Sequence, residues 1–107
     1  MTPELRATLA SLPDRPGVYL LKDARGVVLY VGKAQSLRSR VRSYWQKQAT
    51  VRGPGDLLRI RAVIDKVADL EVTETDSVSE ALLLEANLIK RHQPRFNVRL
   101  KDDKSFP

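Results

Sequence analysis

Two short runs of β-forming residues, 18–23 and 27–33, lie either side of Ala24-Arg25-Gly26. A connection that short, with a glycine in it, joins the runs as an antiparallel hairpin. Taking Arg25-Gly26 as a two-residue loop pairs Ala24 with Val27. In that register Tyr19 and Tyr30 share one face of the sheet, diagonal to one another. A slip of one residue would send them to opposite faces. Any role that uses both tyrosines is therefore also a statement about register.

The rest of the chain supplies elements to cover that hairpin. Thr2 as cap and Pro3 at the first helical position open a helix over residues 2–12, with Glu4 in its first turn. Leu5, Leu9 and Leu12 form its apolar stripe. Pro13-Asp14-Arg15-Pro16-Gly17 breaks the chain. Ser36 caps a second helix reaching residue 45, in which Leu37, Val41, Tyr44 and Trp45 recur at helical spacing. Arg40 and Tyr44 lie one turn apart on the edge of that stripe. After Gly53-Pro54-Gly55, Asp56 can cap a helix to about residue 68, with Leu57, Ile60, Ile64 and Val67 inward. Residues 70–75 alternate as a half-exposed strand does. Ser77-Val78-Ser79-Glu80 is a capping box that opens a helix to about residue 91, and Pro94 ends it.

Composition removes several function classes. With no Cys, the chain has no disulfide, thiolate metal site or cysteine nucleophile. A single His excludes a multi-histidine zinc site within these residues. No apolar run approaches the roughly 20 residues of a membrane span. The charged start, Met1-Thr2-Pro3-Glu4-Leu5-Arg6, is unlike a signal peptide, so a cytoplasmic protein is expected. The 107 residues make one domain, expected to be an N-terminal fragment of a longer protein.

The net charge is +6, which points to a polyanionic partner. Residues 33–61 carry eight bases against one acid, residues 62–80 six acids against one base, and residues 90–104 six bases against two acids. Two basic segments flanking an acidic one can converge on a phosphate backbone; solvated surface charge is the plainer alternative.

A few residues stand out. At 100° per residue from Ser77, Glu85 falls between Ala81 and Leu88 on one side and Ile89 and Leu82 on the other. That is the apolar arc, where a carboxylate is costly unless paired or metal-bound. A salt bridge or an edge position would explain it equally well. Gly32 ends a strand where a ligand or backbone can approach closely, and Lys33 adds charge there. Tyr19 and Tyr30 are otherwise ordinary packing residues for strands. Trp45 has core spacing, and His92 sits at a helix end that favours a surface cation.

Together these residues resemble the GIY-YIG endonuclease family. The two motifs stand as Gly17-Val18-Tyr19 and Tyr30-Val31-Gly32, each with Val for Ile. The match continues through Lys33-Ala34, Leu37 to Tyr44 with Arg40, the run from Glu80 to Lys90, and Pro94-Arg95-Phe96-Asn97. Leu12-Pro13, Pro16-Gly17-Val18-Tyr19, Arg42-Ser43-Tyr44, and Leu100 through Ser105 followed by Phe106 are similar to the branch that works in bacterial nucleotide excision repair.

The resemblance implies an α/β fold with a small three-stranded antiparallel sheet flanked by helices. It implies a DNA endonuclease dependent on one divalent metal ion, Mg2+ or Mn2+, cutting on the 3′ side of a lesion with DNA presented by a partner subunit. It makes Tyr30 the general base, with Tyr19 supporting it and Lys33 helping to hold Tyr30 and the phosphate environment. Arg40 would grip the scissile phosphate, Glu85 would bind the metal, and Asn97 would fix the backbone nearby. Tyr44, Gly32, Arg38 and Arg42 would line the site or meet phosphate. A non-catalytic basic binding module, or a nuclease of this family from another pathway, remains the alternative.

Overall fold

The computed structural model describes residues 2–45 and 63–97. The elements run α1 (Pro3–Ala10), β1 (Gly17–Lys22), β2 (Val28–Ala34), α2 (Leu37–Ser43), β3 (Asp69–Glu74) and α3 (Val78–His92). The sheet is three-stranded, in the order β2-β1-β3, with both neighbours antiparallel to β1. This is the expected fold class. The helix expected from Asp56 lies largely outside the described residues; its final turn, closed by bonds from Lys66 N–H to Val63 O and Val67 N–H to Ile64 O, leads into β3.

Being central, β1 is covered on both faces, so Val18-Tyr19-Leu20-Leu21 reads as a continuous apolar run and all four are buried. Tyr19 and Leu21 face a core built with Leu5, Leu9 and Leu12 of the first segment, Leu37 and Val41 of α2, Val63, Leu70 and Phe96. Val18 and Leu20 face the other way, onto Val31, Ala81, Leu84, Leu88 and Ile89, so α3 covers the second face. Each fully buried Leu or Val contributes roughly 1.5–3 kcal/mol over leaving it in water.

The helix starts are those the sequence signals. Thr2 Oγ1 accepts from Leu5 N–H at 3.0 Å, Ser36 Oγ from Ser39 N–H at 3.2 Å, and Ser77 Oγ from Glu80 N–H at 3.2 Å. Glu80 does not close its capping box on Ser77; its carboxylate reaches one residue further, to Asp76 N–H at 2.8 Å. On α3 the apolar arc is narrower than helical spacing suggests. Leu82 is 53% and Leu83 66% exposed, so the packed arc runs through Ala81, Leu84, Leu88 and Ile89 and leaves Leu82 outside.

The hairpin corrects the expected turn. Gly26 N–H donates to Asp23 O, and Asp23 N–H donates to Val27 O, both at 3.0 Å. The loop is therefore three residues, Ala24-Arg25-Gly26, with Gly26 at φ 83° where a side chain would be strained. Ala24 does not pair with Val27. Lys22 pairs with Val28 while Leu21 pairs with Tyr30, so Leu29 is an extra residue in β2. This β-bulge sends Leu29 and Tyr30 to the same core in succession. Beyond it the ladder pairs Tyr19 with Gly32 and Gly17 with Ala34.

Candidate functional site

Tyr19 and Tyr30 meet on one face of the sheet because Gly32, directly opposite Tyr19, is two residues from Tyr30. Their ring centroids are 6.2 Å apart. A Cβ on residue 32 would lie 2.3 Å from both Cζ and the hydroxyl of Tyr19, so glycine here is what lets the phenol cross over β2.

The third ring comes from the turn that closes α2. Leu37 and Val41 bury one side of this helix, and Arg40 and Tyr44 follow on an adjoining flank at i, i+4 spacing. Tyr44 packs edge-on against Tyr19, with centroids 5.9 Å apart, and their hydroxyls share a hydrogen bond of 2.5 Å. The Arg40 guanidinium lies 5.8 Å from the Tyr44 ring centroid, within cation–π range.

The electrostatics follow from burial. Tyr19 is almost fully enclosed, and desolvation, then the neighbouring Tyr44 and Tyr30, hold its hydroxyl well above the ordinary tyrosine value. Arg40 pulls the other way and loses. The Arg40 guanidinium is itself held more firmly protonated, first by coupling to Tyr44, with Tyr19 adding to it against partial burial. The arrangement is a buried, neutral Tyr19 phenol bonded to Tyr44 beside a fixed cation. Such a cation can grip a phosphate oxygen, and a neutral O–H can donate to one.

Asn97 acts on the backbone between Tyr30 and Gly32. Its Oδ1 accepts from Val31 N–H at 2.6 Å and its Nδ2 donates to Val31 O at 2.9 Å. The side chain thus mimics a paired strand at the edge of β2. The chain crosses that edge after α3, since α3 packs on one face and Phe96 is buried in the core of the other.

Two expected site residues enter from the α3 side. Strand alternation turns Lys33 away from Gly32 and Tyr30, and its side chain is exposed. Glu85 is half-buried on α3, inside the arc that packs on the sheet. A site that uses both of them with the tyrosines wraps around the β2 edge. Arg38 and Arg42 lie elsewhere: Arg38 Nε donates to Leu12 O, and Arg42 donates from Nε to Leu9 O and from Nη2 to Ala10 O, at 2.9–3.0 Å. Their attachment to the last turn of α1 and the segment just after it went unforeseen. The signal was an i, i+4 pair of arginines on the flank of α2 opposite Arg40 and Tyr44.

Comparison with known proteins places the chain in a family. The family model of the UvrC-like GIY-YIG domain matches residues 15–98. UvrABC system protein C of Moorella thermoacetica is 54% identical over 104 residues, which are 97% of this chain and 16% of that protein. Its counterpart in an Anaeromyxobacter species is 55% identical over 107 residues, 99% of this chain and 14% of that protein. The chain thus spans about one-sixth of the length of the curated relatives it matches. The crystal structure of the GIY-YIG N-terminal endonuclease domain of UvrC from Thermotoga maritima, bound to its catalytic divalent cation magnesium, superposes with a TM-score of 0.73 at 34% identity, covering 90% of this chain and 98% of that one. The matched span, the identity and the shared fold show the same thing: the chain belongs to the UvrC-like GIY-YIG domain family.

Proposed function

We propose that this chain is the nuclease domain of a longer UvrC-type repair protein, and that it cuts one DNA strand by phosphodiester hydrolysis on the 3′ side of a lesion. UvrB would present the DNA to it, and the site of action is the cytoplasm. Among the described residues no helix is long and apolar enough to cross a membrane. The observation that carries the reading is the constellation itself: Tyr19 bonded to Tyr44, Tyr30 beside Tyr19, and Arg40 against Tyr44.

In this reading Tyr30 takes a proton from the attacking water. A tyrosine of ordinary pKa near 10 is almost wholly protonated at neutral pH, so to serve as base Tyr30 must first release its own proton to solvent, which positive charge nearby favours. Arg40 supplies some of it and neutralises a phosphate oxygen as the charge builds. Tyr19 stays protonated and orients its neighbours through the bond to Tyr44. Lys33, across the β2 edge, adds a further charge for the DNA backbone.

Among the described residues no three acidic or histidine side chains come together as a metal cage. The donor set still fits a divalent cation. Glu85 is a half-buried carboxylate in an otherwise apolar arc, and one carboxylate suits a Mg2+ that keeps most of its waters. Held there, the ion would supply Lewis-acid charge to the phosphate and the leaving oxygen.

The test is Glu85→Gln in a Mn2+- or Mg2+-dependent nicking assay with UvrB-loaded damaged DNA. Loss of cutting with DNA affinity retained is expected. A variant that still cuts at the parent rate removes Glu85 from the chemistry, and a parent chain inert under all these conditions favours a non-catalytic binding module.

A further inference from the structure

The helix α1 lies outside the span 15–98 that the family model matches, yet one flank of α2 is fastened to its last turn and to the segment just after it. The Arg42 guanidinium bridges two carbonyls in the last turn of α1, Leu9 O at 3.0 Å and Ala10 O at 2.9 Å. Carbonyls at that end have no partner inside the helix, so an arginine there satisfies groups that would otherwise be orphaned. One turn earlier on α2, Arg38 Nε reaches Leu12 O at 3.0 Å. The main chain fastens the start of α2 to the segment that follows α1: Leu37 N–H donates to Arg15 O at 2.9 Å and Arg38 N–H to Pro13 O at 3.0 Å.

The opposite flank of α2 carries Arg40 and Tyr44. The helix is only seven residues long and buries two side chains, Leu37 and Val41. Two knobs on one line resist roll about the helix axis poorly. A roll of about 10° moves a side-chain tip roughly 6 Å from the axis by about 1 Å. That is enough to break a hydrogen bond between two hydroxyls.

We propose that Arg42, assisted by Arg38, is a positioning residue: by clamping α2 to the carbonyl end of α1 it sets the roll of α2, and with it the bond between Tyr44 and Tyr19. The helix α1 is then a working part of the site although it contributes no side chain to it. This assignment takes Arg42 away from direct phosphate contact. It depends on the nuclease reading only for its consequence in cutting, not for the clamp itself.

The experiment compares the parent chain with Arg42→Ala and Arg42→Lys, each labelled at tyrosine Cζ and followed by NMR across pH without DNA. Expected in Arg42→Ala are displaced Tyr19 and Tyr44 resonances and an altered titration, while melting stays cooperative. Arg42→Lys, which can still donate to one carbonyl, recovers most of the parent spectrum. With UvrB-loaded damaged DNA, the alanine variant keeps its affinity and loses about tenfold or more in single-turnover cutting. Should the alanine variant not fold, Arg42→Gln carries the same comparison. Tyrosine spectra that coincide with the parent's overturn the proposal, and a cutting defect without a spectral change assigns Arg42 to the DNA. Because the spectra need no DNA, failure of the nuclease reading and failure of the clamp give different results.

Discussion

Gly32 stands directly across the ladder from Tyr19, and the Tyr19 phenol occupies the space that any Cβ at position 32 would need. The strand pairing and the site are thus one construction. The absent side chain is as much a part of the site as the ring that fills its place.

Gly32→Ala should therefore damage function more than stability. The displaced atoms are the tip of a buried ring, and overpacking of that kind costs about 1–3 kcal/mol. Moving the Tyr19 hydroxyl by an ångström should reduce cutting by about a hundredfold. A nicking assay beside a thermal melt measures both; a stable variant with parent-like cutting would sink the idea that Tyr19 needs this position.

Asn97→Ala leaves both Val31 backbone groups without their side-chain partner at the β2 edge. Unpaired, partly buried groups cost about 1–3 kcal/mol, so the denaturant midpoint should fall clearly. Asn97→Asp should not be a mild change, because its carboxylate would face the Val31 carbonyl where an amide now donates. Urea melts of the two variants decide this.

Tyr19 should give the protein an alkaline limit. Its hydroxyl is held above the ordinary value by burial first, then by Tyr44 and Tyr30. A folded-state pKa above the unfolded one means stability is complete below about pH 10, and is lost as pH rises toward the folded value. Melting temperature should drop above about pH 10 in the parent and drop less steeply in Tyr19→Phe. Identical slopes would show that other groups set the limit.

Asp23 should act at the other end of the scale. Its carboxylate accepts from Val27 N–H at 3.0 Å and Arg25 N–H at 2.8 Å, and the bond to Val27 contributes most to lowering its pKa. A depressed folded-state pKa means the turn is supported above the ordinary carboxylate value, near 4, and loses that support as pH falls. Asp23→Asn keeps an acceptor oxygen, so it should hold the hairpin while flattening the acid side of the stability profile. Melts between pH 6 and pH 2 test this.

How far the sequence carries depends on what kind of signal a residue leaves. Caps are local, and Thr2, Ser36 and Ser77 are each found bonded as expected. The shared face of Tyr19 and Tyr30 was also legible, although the turn that was to produce it was not. A three-residue loop and a two-residue loop look alike in a stretch that reads Asp-Ala-Arg-Gly-Val, and the bulge at Leu29 has no composition of its own. On α3, periodicity gave the centre of the packed arc, with Glu85 inside it, but not the width that leaves Leu82 in solvent. Arg38 and Arg42 are the sharpest case. Charge counting treats all guanidinium groups alike, whereas these two satisfy carbonyls some thirty residues away, which only the folded chain brings near.

The offset of the turn and the offset of the Leu29 bulge cancel, so from Leu21 to Gly17 the ladder is the one a two-residue loop without a bulge would give. Straightening the bulge while the loop still closes on Asp23 and Val27 would bring Tyr30 opposite Leu20 and throw it to the far side of the sheet. Gaining or losing a residue within Ala24-Arg25-Gly26, with the same closing pair, leaves every later pair as it is. Descendants of this chain can change the length of the loop, but not absorb Leu29 into the ladder without parting the two tyrosines.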